Sequence, residues 1–269
     1  MDFLKKIIEE KRKEAAALSV SKRLDDLEAN ILKAAAPLDF RGALNKGMSI
    51  IAEVKRKSPS KGHLSDVGDP SELAHLYQKH GARAVSVLTD SKHFGGSLED
   101  LALVRKRVRI PILRKDFIIN PAQVLESRSV GADAFLLIAS ILEEEELASL
   151  ISLGEDLGMT ALVEVHSAPE LDKALGCGAR TIGINNRNLR TFDVDIRTCL
   201  EMIGKIPSGT TAVAESGILN CSDIARIASA GFQAFLIGEA LVTSRDPGET
   251  IKTFLKAAET ASKGGSCAG

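Results

Sequence analysis

The chain has 269 residues, of which 44% are hydrophobic and 26% are charged, with 35 Lys and Arg against 36 Asp and Glu. This composition is typical of a folded globular protein and excludes an extended disordered chain. A formal net charge of −1 argues against a dedicated nucleic-acid binder, because such proteins carry a marked excess of positive charge. We therefore expect no nucleic-acid partner, while a local site for a small anion remains compatible with this charge.

Residues 1–45 are predicted to form a helical N-terminal extension. Leu4, Ile7 and Ile8 are spaced for one helix face, and the segment 24–31 repeats the pattern, which predicts two short helices. The charged N-terminus has no apolar stretch of the signal-peptide type, and no run approaches the roughly 20 apolar residues of a membrane span. We expect a cytoplasmic protein with no membrane partner.

The cysteine pattern predicts reduced, mostly buried thiols. No pair has Cys-x-x-Cys spacing and no histidine stands at metal-ligand spacing beside them, which argues against a zinc site and a disulfide framework. We expect no metal. The four residues are Cys177, Cys199, Cys221 and Cys267.

From Ser49 onward, short apolar runs rich in β-branched residues alternate with amphipathic helical segments. Near-continuous hydrophobic strands are typical of a parallel sheet that is covered by helices. Eight β–α units in roughly 210 residues match the number and size of a (β/α)8 barrel. The predicted strands are SIIAEV (49–54), AVSVL (84–88), IPIL (110–113), AFLLI (134–138), TALVEV (160–165), RTIGI (180–184), TAVAE (211–215) and AFLIG (234–238).

A glycine repeat supports a closed barrel. Gly81, Gly131, Gly178 and Gly231 each end a helix before an even-numbered strand, at intervals of about 50 residues, or two β–α units. Glycine just past a helix end adopts the left-handed conformation that turns the chain back quickly. A doubly wound open sheet is the alternative, but it would need a GxGxxG loop after the first strand. We predict an α/β fold, a single (β/α)8 TIM barrel in one domain (1–269), with a helical N-terminal extension (1–45), the barrel (46–260) and a flexible tail (261–269).

The polar residues at the carboxyl ends of the strands are the site candidates, because active sites occupy that end of this fold. The first strand ends in Glu53-Val54-Lys55, and residues two apart on a strand share a face. Glu53 and Lys55 should therefore point together into the barrel mouth, either as a structural ion pair or as catalytic groups. The loop that follows, RKSPSKG (56–62), concentrates three cations and two hydroxyls and suits an anionic ligand.

Lys115, at the end of the third strand, falls in the same mouth. Crowded by other cations and partly desolvated, its charged form would be disfavoured, so we predict a lowered pKa and a proton donor near neutral pH. Glu164 interrupts the apolar fifth strand, which favours a functional role over a structural one. His166 begins the next loop, a place typical of a cap or a bystander.

The sixth strand leads into Asn185 and Arg187. Asn185 offers a donor and an acceptor together, and Arg187 can bind a carboxylate or phosphate with two parallel hydrogen bonds. A loop turn is the alternative explanation for the Asn-Asn pair at 185–186.

Strands seven and eight end in Glu215-Ser216-Gly217 and in Gly238-Glu239. Glycines at these two positions are where many barrels bind phosphate through loop amides. Because its charge would repel phosphate, we expect the Glu239 side chain to point outward while its amide faces the ligand. The mouth as a whole indicates proton transfer on a phosphorylated, acidic small molecule, with carboxylates paired to lysines in place of a metal.

Six strings, in order and with matching spacing from about Ser49 to the end of the eighth strand, resemble the indole-3-glycerol-phosphate synthase family: IIAEVKRKSPSKG, LRKDFI, LVEVH, GINNRNL, VAESGI and FLIGEALV. The helical extension is also similar. The resemblance implies a barrel without metal or organic cofactor, acting as a carboxy-lyase in tryptophan biosynthesis. The implied reaction closes 1-(2-carboxyphenylamino)-1-deoxyribulose 5-phosphate to indole-3-glycerol phosphate with loss of CO2 and water. A monomer is expected, and association with other enzymes of the pathway is left open.

The resemblance also implies roles for the residues of these strings. Lys115 would protonate the oxygen derived from the ribulose carbonyl, and Glu164 would act as general base or charge stabiliser near the ring nitrogen. Lys55, partnered by Glu53, would hold the substrate and donate the proton for dehydration. Asn185 and Glu215 would orient the sugar hydroxyls and the catalytic lysines. Arg187 and Lys55 would face the substrate carboxylate.

Two further groups complete the site that the resemblance implies. The phosphate would be surrounded by Ser58, Ser216, Gly217, Gly238 and Glu239, the last three through backbone N–H groups. The apolar walls for the anthranilate ring would be Phe94, Phe117 and Leu136.

Three alternatives remain at this point. A phosphoribosylanthranilate-isomerase-like enzyme would carry a Cys at the end of the first strand, where this chain has Glu53-Val54-Lys55. Lyases of the tryptophan synthase α type lack the lysine pair. A non-catalytic barrel that binds a phosphometabolite needs only the phosphate loops, so Lys55, Lys115 and Glu164 argue against it.

Overall fold

The computed structural model describes residues 3–18, 21–55, 57–58, 62–63, 68–189 and 191–264. The strands over these residues are β1 (Ser49–Val54), β2 (Lys57–Ser58), β3 (Gly62–His63), β4 (Ala84–Leu88), β5 (Ile112–Lys115), β6 (Ala134–Ile138), β7 (Thr160–Val165), β8 (Thr181–Asn185), β9 (Thr211–Glu215) and β10 (Ala234–Ile237). The α-helices are α1 (Phe3–Leu18), α2 (Ser21–Lys33), α3 (Phe40–Leu44), α4 (Pro70–Lys79), α5 (Ser91–Phe94), α6 (Leu98–Arg107), α7 (Pro121–Ser129), α8 (Glu144–Asp156), α9 (Ala168–Gly176), α10 (Arg197–Met202), α11 (Cys221–Ser229), α12 (Glu239–Val242) and α13 (Pro247–Gly264).

Eight of the described strands form a closed, all-parallel barrel in the order β1-β10-β9-β8-β7-β6-β5-β4. The barrel closes where β1 pairs with β10, with Ser49 opposite Ala234 and Ala52 opposite Ile237. The predicted single (β/α)8 barrel is therefore confirmed. β2 and β3 pair antiparallel in the loop after β1, outside the barrel.

The barrel strands are apolar on both faces, which explains their continuous hydrophobic runs. In β1, Ile51 belongs to the core inside the barrel, while Ile50 and Ala52 pack in the core between the strands and the helices. All three are fully buried. Polar side chains within such strands therefore have to be explained individually.

Strand β5 differs most from its prediction, because it begins two residues later than the run at 110–113 and continues through Lys115. Pro111 has no N–H to donate, so the regular strand begins at Ile112, whose N–H is bonded to the Asp133 carboxylate at 2.7 Å. The other predicted strands agree with the structure to within one residue at each end.

The predicted glycines at the helix ends all have left-handed backbone, with φ of 102° at Gly81, 89° at Gly131, 87° at Gly178 and 111° at Gly231. Three further glycines have left-handed backbone shortly before β1, β7 and β9. They are Gly47, Gly158 and Gly209, with φ of 101°, 72° and 87°. No glycine precedes β5, so the regular repeat of two β–α units holds for the glycines before β4, β6, β8 and β10.

The N-terminal extension forms three helices in the described residues, α1 to α3, where two were predicted. The third is capped by Asp39, whose carboxylate accepts from the Gly42 N–H at 2.7 Å. At the other end, α13 continues to Gly264, so residues 261–264 of the predicted flexible tail are helical, consistent with packing of α13 against α11. No described helix has the length and apolar content needed to span a bilayer.

Candidate active site

A cavity opens at the carboxyl ends of the barrel strands. It brings together every predicted site residue except Ser58, whose side chain falls outside the described part of the chain, as do Arg56 and residues 59–61 of the predicted anion loop. The predicted residues that line the cavity are Glu53, Lys55, Phe94, Lys115, Phe117, Leu136, Glu164, Asn185, Arg187, Glu215, Ser216, Gly217, Gly238 and Glu239.

Lys115 lies between carboxylates. Its Nζ is 3.0 Å from Glu164 Oε2 and 3.4 Å from Glu215 Oε2. Burial disfavours the charged amine, but Glu164, Glu215 and Glu53 outweigh burial and raise the pKa of Lys115 above its usual value. The predicted lowering of this pKa is wrong, because the charged groups that act on Lys115 are the anions Glu164, Glu215 and Glu53.

Glu53 and Lys55 form the predicted ion pair, with Lys55 Nζ 2.7 Å from Glu53 Oε1. Both side chains point into the mouth, as expected for alternate residues at the end of β1. Burial alone would raise the pKa of Glu53, but Lys55 and Lys115 hold it below its usual range. This carboxylate therefore stays ionised beside two ammonium groups.

Glu164 and Glu215 have their pKa values displaced in opposite directions. Burial would raise both, but the charge of Lys115 dominates at Glu164 and lowers its pKa. At Glu215, burial and repulsion from Glu164 outweigh Lys115 and raise the pKa. Two adjacent carboxyl groups with separated pKa values can hold one base and one acid at the same pH.

His166 has closer contacts than its predicted bystander place implies. Its Nε2 is 3.4 Å from Glu164 Oε1, and its backbone N–H donates to Glu170 Oε2 at 2.8 Å. Burial alone would lower the pKa of His166, but the hydrogen bond to Glu170 and the charge of Glu164 raise it. Because His166 follows Glu164 by two residues, the β7 face pattern could have placed it next to Glu164.

Arg187 and Glu239 meet across the rim of the cavity, with Arg187 Nη2 3.7 Å from Glu239 Oε2. The expected outward orientation of Glu239 is therefore wrong, because Arg187 attracts its carboxylate toward the mouth. Arg187 Nη1 also donates to the Phe192 carbonyl at 3.1 Å. Phe192 has a left-handed φ of 64°, which is strained for an aromatic residue and turns its carbonyl toward the guanidinium.

Asn185 links this rim to the buried carboxylates. Its side chain is hydrogen-bonded to Glu164, which contributes to the lowered pKa of that carboxyl. Its Oδ1 also accepts from the Arg187 backbone N–H at 3.0 Å. One amide thus fixes both a site carboxylate and the start of the loop that carries Arg187.

The two glycines predicted to bind phosphate differ in their backbones. Gly217 follows Ser216, and both have left-handed φ, 76° and 64°, so the chain turns sharply at the end of β9. Gly238 has a φ of −122°, which any residue adopts. A Cβ there would instead overlap Glu53 Oε1 and lie 3.1 Å from Glu53 Cδ. This position therefore has no room for a side chain beside Glu53.

The three residues predicted to form an apolar wall line the same cavity. The ring centroids of Phe94 and Phe117 are 6.3 Å apart with an interplanar angle of 38°, within the range of favourable aromatic pairs. Leu136 reaches the cavity from β6.

Helix α1 provides cavity-lining residues that sequence reasoning did not assign. Leu4 and Ile7 line the cavity, and the buried Lys11 on the same face lies 3.0 Å from Asp90 and 2.9 Å from Asp116. Lys11 follows Ile7 by four residues and so lies on the same apolar helix face. That position could have predicted that Lys11 is buried and paired with a carboxylate. The extension is therefore part of the cavity and is fixed by charge to the ends of β4 and β5.

The comparison with known families matches residues 4–254 to the family described as "Indole-3-glycerol phosphate synthase". A relative with that name from Mycobacterium sp. (strain KMS) is 48% identical over 256 residues, 94% of both chains. The chain belongs to the indole-3-glycerol phosphate synthase family. Another family member of that name, from Rhodococcus jostii (strain RHA1), is 48% identical over 260 residues and 96% of both chains.

Solved structures outside the indole-3-glycerol phosphate synthase family share the fold. 3-Hexulose-6-phosphate synthase from Salmonella typhimurium aligns with a TM-score of 0.64 and 11% identity, over 80% of this chain and 100% of that chain. Thiamine phosphate pyrophosphorylase from Pyrococcus furiosus aligns with a TM-score of 0.61 and 15% identity, over 81% and 98%. At this identity, the likeness concerns the barrel alone.

Proposed function

We propose that the protein catalyses the reaction of indole-3-glycerol phosphate synthase. It closes 1-(2-carboxyphenylamino)-1-deoxyribulose 5-phosphate to indole-3-glycerol phosphate, releasing CO2 and water, as a carbon–carbon lyase of tryptophan biosynthesis. The observation that carries the proposal is Lys115, held 3.0 Å from Glu164 and 3.4 Å from Glu215 at the mouth of a cavity with an aromatic wall. Membership of the family supports it.

Ring closure needs a proton donor at the carbonyl. The aromatic carbon that bears the carboxylate attacks the ribulose C2 carbonyl, and Lys115 delivers a proton to the oxygen as the C–C bond forms. A neutral Lys115 beside the ionised carboxylates of Glu164 and Glu53 is unfavourable, since these anions raise its pKa. Glu215, whose pKa is raised, is the neighbour that can return a proton to it.

The later steps require the loss of CO2 and then of water. Ring closure leaves a cationic, non-aromatic intermediate, which the nearby ionised carboxylates stabilise. When the C–CO2 bond breaks, its electron pair returns to the ring and restores aromaticity. In dehydration, Lys55 protonates the hydroxyl that leaves ribulose C2. Glu164, on the ring-nitrogen side, accepts the proton released from ribulose C1 as the C1=C2 double bond of the indole forms. Glu53, paired with Lys55 at 2.7 Å, keeps that ammonium directed into the mouth.

The substrate is held at both ends. Phe94, Phe117 and Leu136 pack on the anthranilate ring, while Arg187 and Lys55 face its carboxylate. In binding, Arg187 exchanges its 3.7 Å contact with Glu239 for the substrate carboxylate. The phosphate binds among Ser58, Ser216 and the backbone N–H groups of Gly217, Gly238 and Glu239, and the enzyme works as a cytoplasmic monomer without a cofactor.

The test is to incubate the protein with the carboxyphenylamino-deoxyribulose phosphate and follow indole fluorescence. The chain contains no Trp, so product emission has little protein background. We expect turnover by the wild type and a loss of about 1,000-fold in kcat for Lys115→Ala, the scale of a general acid. Lys106→Ala, an exposed lysine on α6, is the matched control and should keep wild-type kcat.

Two results would contradict the proposal. Absence of turnover by the wild type would favour another phosphate-binding barrel or a non-catalytic one. Turnover by Lys115→Ala equal to that of Lys106→Ala would remove Lys115 from the acid role. Light scattering on the same preparation measures the molar mass in solution and so tests whether the protein is a monomer.

A further inference from the structure

Two glycines of the barrel abut buried site carboxylates. Gly183 is the third residue of β8 and alternates with Asn185, so it faces the inside of the barrel. A Cβ at Gly183 would overlap Glu215 Oε1 and lie 3.0 Å from Glu215 Cδ. Glu215 therefore occupies the space that the side chain of any other residue at position 183 would fill.

Gly238 has the same relation to Glu53, because a Cβ there would overlap Glu53 Oε1. Neither Gly183 nor Gly238 has a left-handed backbone, so conformation does not require glycine at either position. Glycine at these two positions leaves the space that the neighbouring carboxylate occupies.

The space at Gly183 determines how Glu215 meets Lys115. With Oε1 lodged against Gly183, Oε2 is the oxygen 3.4 Å from Lys115 Nζ. Gly183 is also the register partner of Glu164 on β7, so it lies between the two carboxylates that contact Lys115. At the other glycine, Oε1 of Glu53 both abuts Gly238 and pairs with Lys55 at 2.7 Å.

We propose that Gly183 and Gly238 are positioning residues, each providing the space in which one carboxylate is held in register with its lysine. The inference rests on the proposed function, because it assigns these glycines to the chemistry of Lys115 and Lys55. Glu215 cannot simply move aside, since it is 1% exposed and the Leu162 side chain lies 3.5 Å from the same Cβ position. A methyl group at position 183 therefore shifts the carboxylate away from Lys115.

The first test is Gly183→Ala. We expect kcat to fall about 100-fold, the effect of misplacing a catalytic group by about 1 Å. KM should change little, because the aromatic wall and the phosphate loops are untouched, whereas a general packing defect would alter both. Gly176→Ala is the control, since nothing lies within 4 Å of its Cβ position, and it should keep wild-type kcat.

The second test is a pair-specific cycle. Glu215→Asp shortens the carboxylate by one methylene and vacates the space at Gly183. In that background Gly183→Ala should have no further effect on kcat or Tm. In a Glu53→Asp background, Gly183→Ala should still lower kcat about 100-fold. The reciprocal pair is Gly238→Ala with Glu53→Asp.

The outcomes separate this inference from the proposed function. A loss of less than about twofold for Gly183→Ala, or the same loss in the Glu215→Asp and Glu53→Asp backgrounds, overturns the inference. If the wild type does not turn over the substrate, the proposed function fails. The cycle measured by Tm still reports whether Gly183 makes room for Glu215.

Discussion

Replacing Lys11 by methionine removes the buried charge that fixes α1 to the barrel. Lys11 is 4% exposed and contacts Asp90 at 3.0 Å and Asp116 at 2.9 Å. Removing one partner of a buried ion pair costs about 3–5 kcal/mol, because the other charge stays buried. We expect the lower value, about 3 kcal/mol, since Asp116 keeps Arg114 at 3.1 Å and Asp90 keeps the N–H of His93 at 2.7 Å.

Urea unfolding at pH 7 measures this loss as a lower midpoint at an unchanged slope. For a chain of this size the Tm should fall by about 6–12 °C. Loosening of α1 also withdraws Leu4 and Ile7 from the cavity, so KM for the proposed substrate should rise.

Lys13→Met is the matched control, because Lys13 lies on the same helix and is exposed. It should leave the urea midpoint within about 0.5 kcal/mol of the wild type. If Lys11→Met and Lys13→Met unfold at the same midpoint, the ion contacts of Lys11 do not anchor α1 and the reasoning is wrong.

Two further predictions concern pH. Because the pKa of Asp116 falls from 3.8 to about 2 in the folded protein, this carboxylate contributes about 2.5 kcal/mol that is present above pH 3.8 and lost as pH falls toward 2. Acid titration of urea midpoints should show the wild type losing its advantage over Asp116→Asn across that interval, and a constant difference would contradict it. The raised pKa of Glu215 has the opposite sign, so the wild type loses stability as pH rises above 4.5 and Glu215→Gln does not. Melting curves from pH 5 to 9 should diverge in favour of Glu215→Gln while kcat is reduced, and parallel curves would show that Glu215 titrates normally.

The barrel could be predicted from the sequence because strands that are buried on both faces leave a strong apolar signal. The alternation of those strands with helices then fixed the topology class. The boundary of β5 was missed for a local reason, since Pro111 looks apolar in a strand pattern but cannot donate to the ladder. The register between strands could not be predicted. Leu88 lies opposite Lys115 across β4 and β5, and the pattern of either strand alone does not contain this pairing.

The site was predicted as a set of side chains, but its electrostatics were not. The prediction placed other cations around Lys115, and Arg114 directly precedes it in the sequence. In the folded chain Arg114 lies on the opposite face of β5, where it is bound by Asp116 and Glu126, while carboxylates from β1, β7 and β9 surround Lys115. A pKa depends on which strand ends converge, and that information is three-dimensional.

The closing pair of strands, β1 and β10, has a consequence for the order in which the protein becomes active. Glu53 lies at the end of β1 and Gly238 directly follows β10, so the two meet only after strands about 185 residues apart have paired. A growing or truncated chain that lacks β10 can contain Lys115 and Glu164 yet has no neighbour to confine Glu53. The pairing that closes the barrel is therefore also the pairing that completes the environment of Glu53, so a chain without β10 should lack activity even where its other site residues are present.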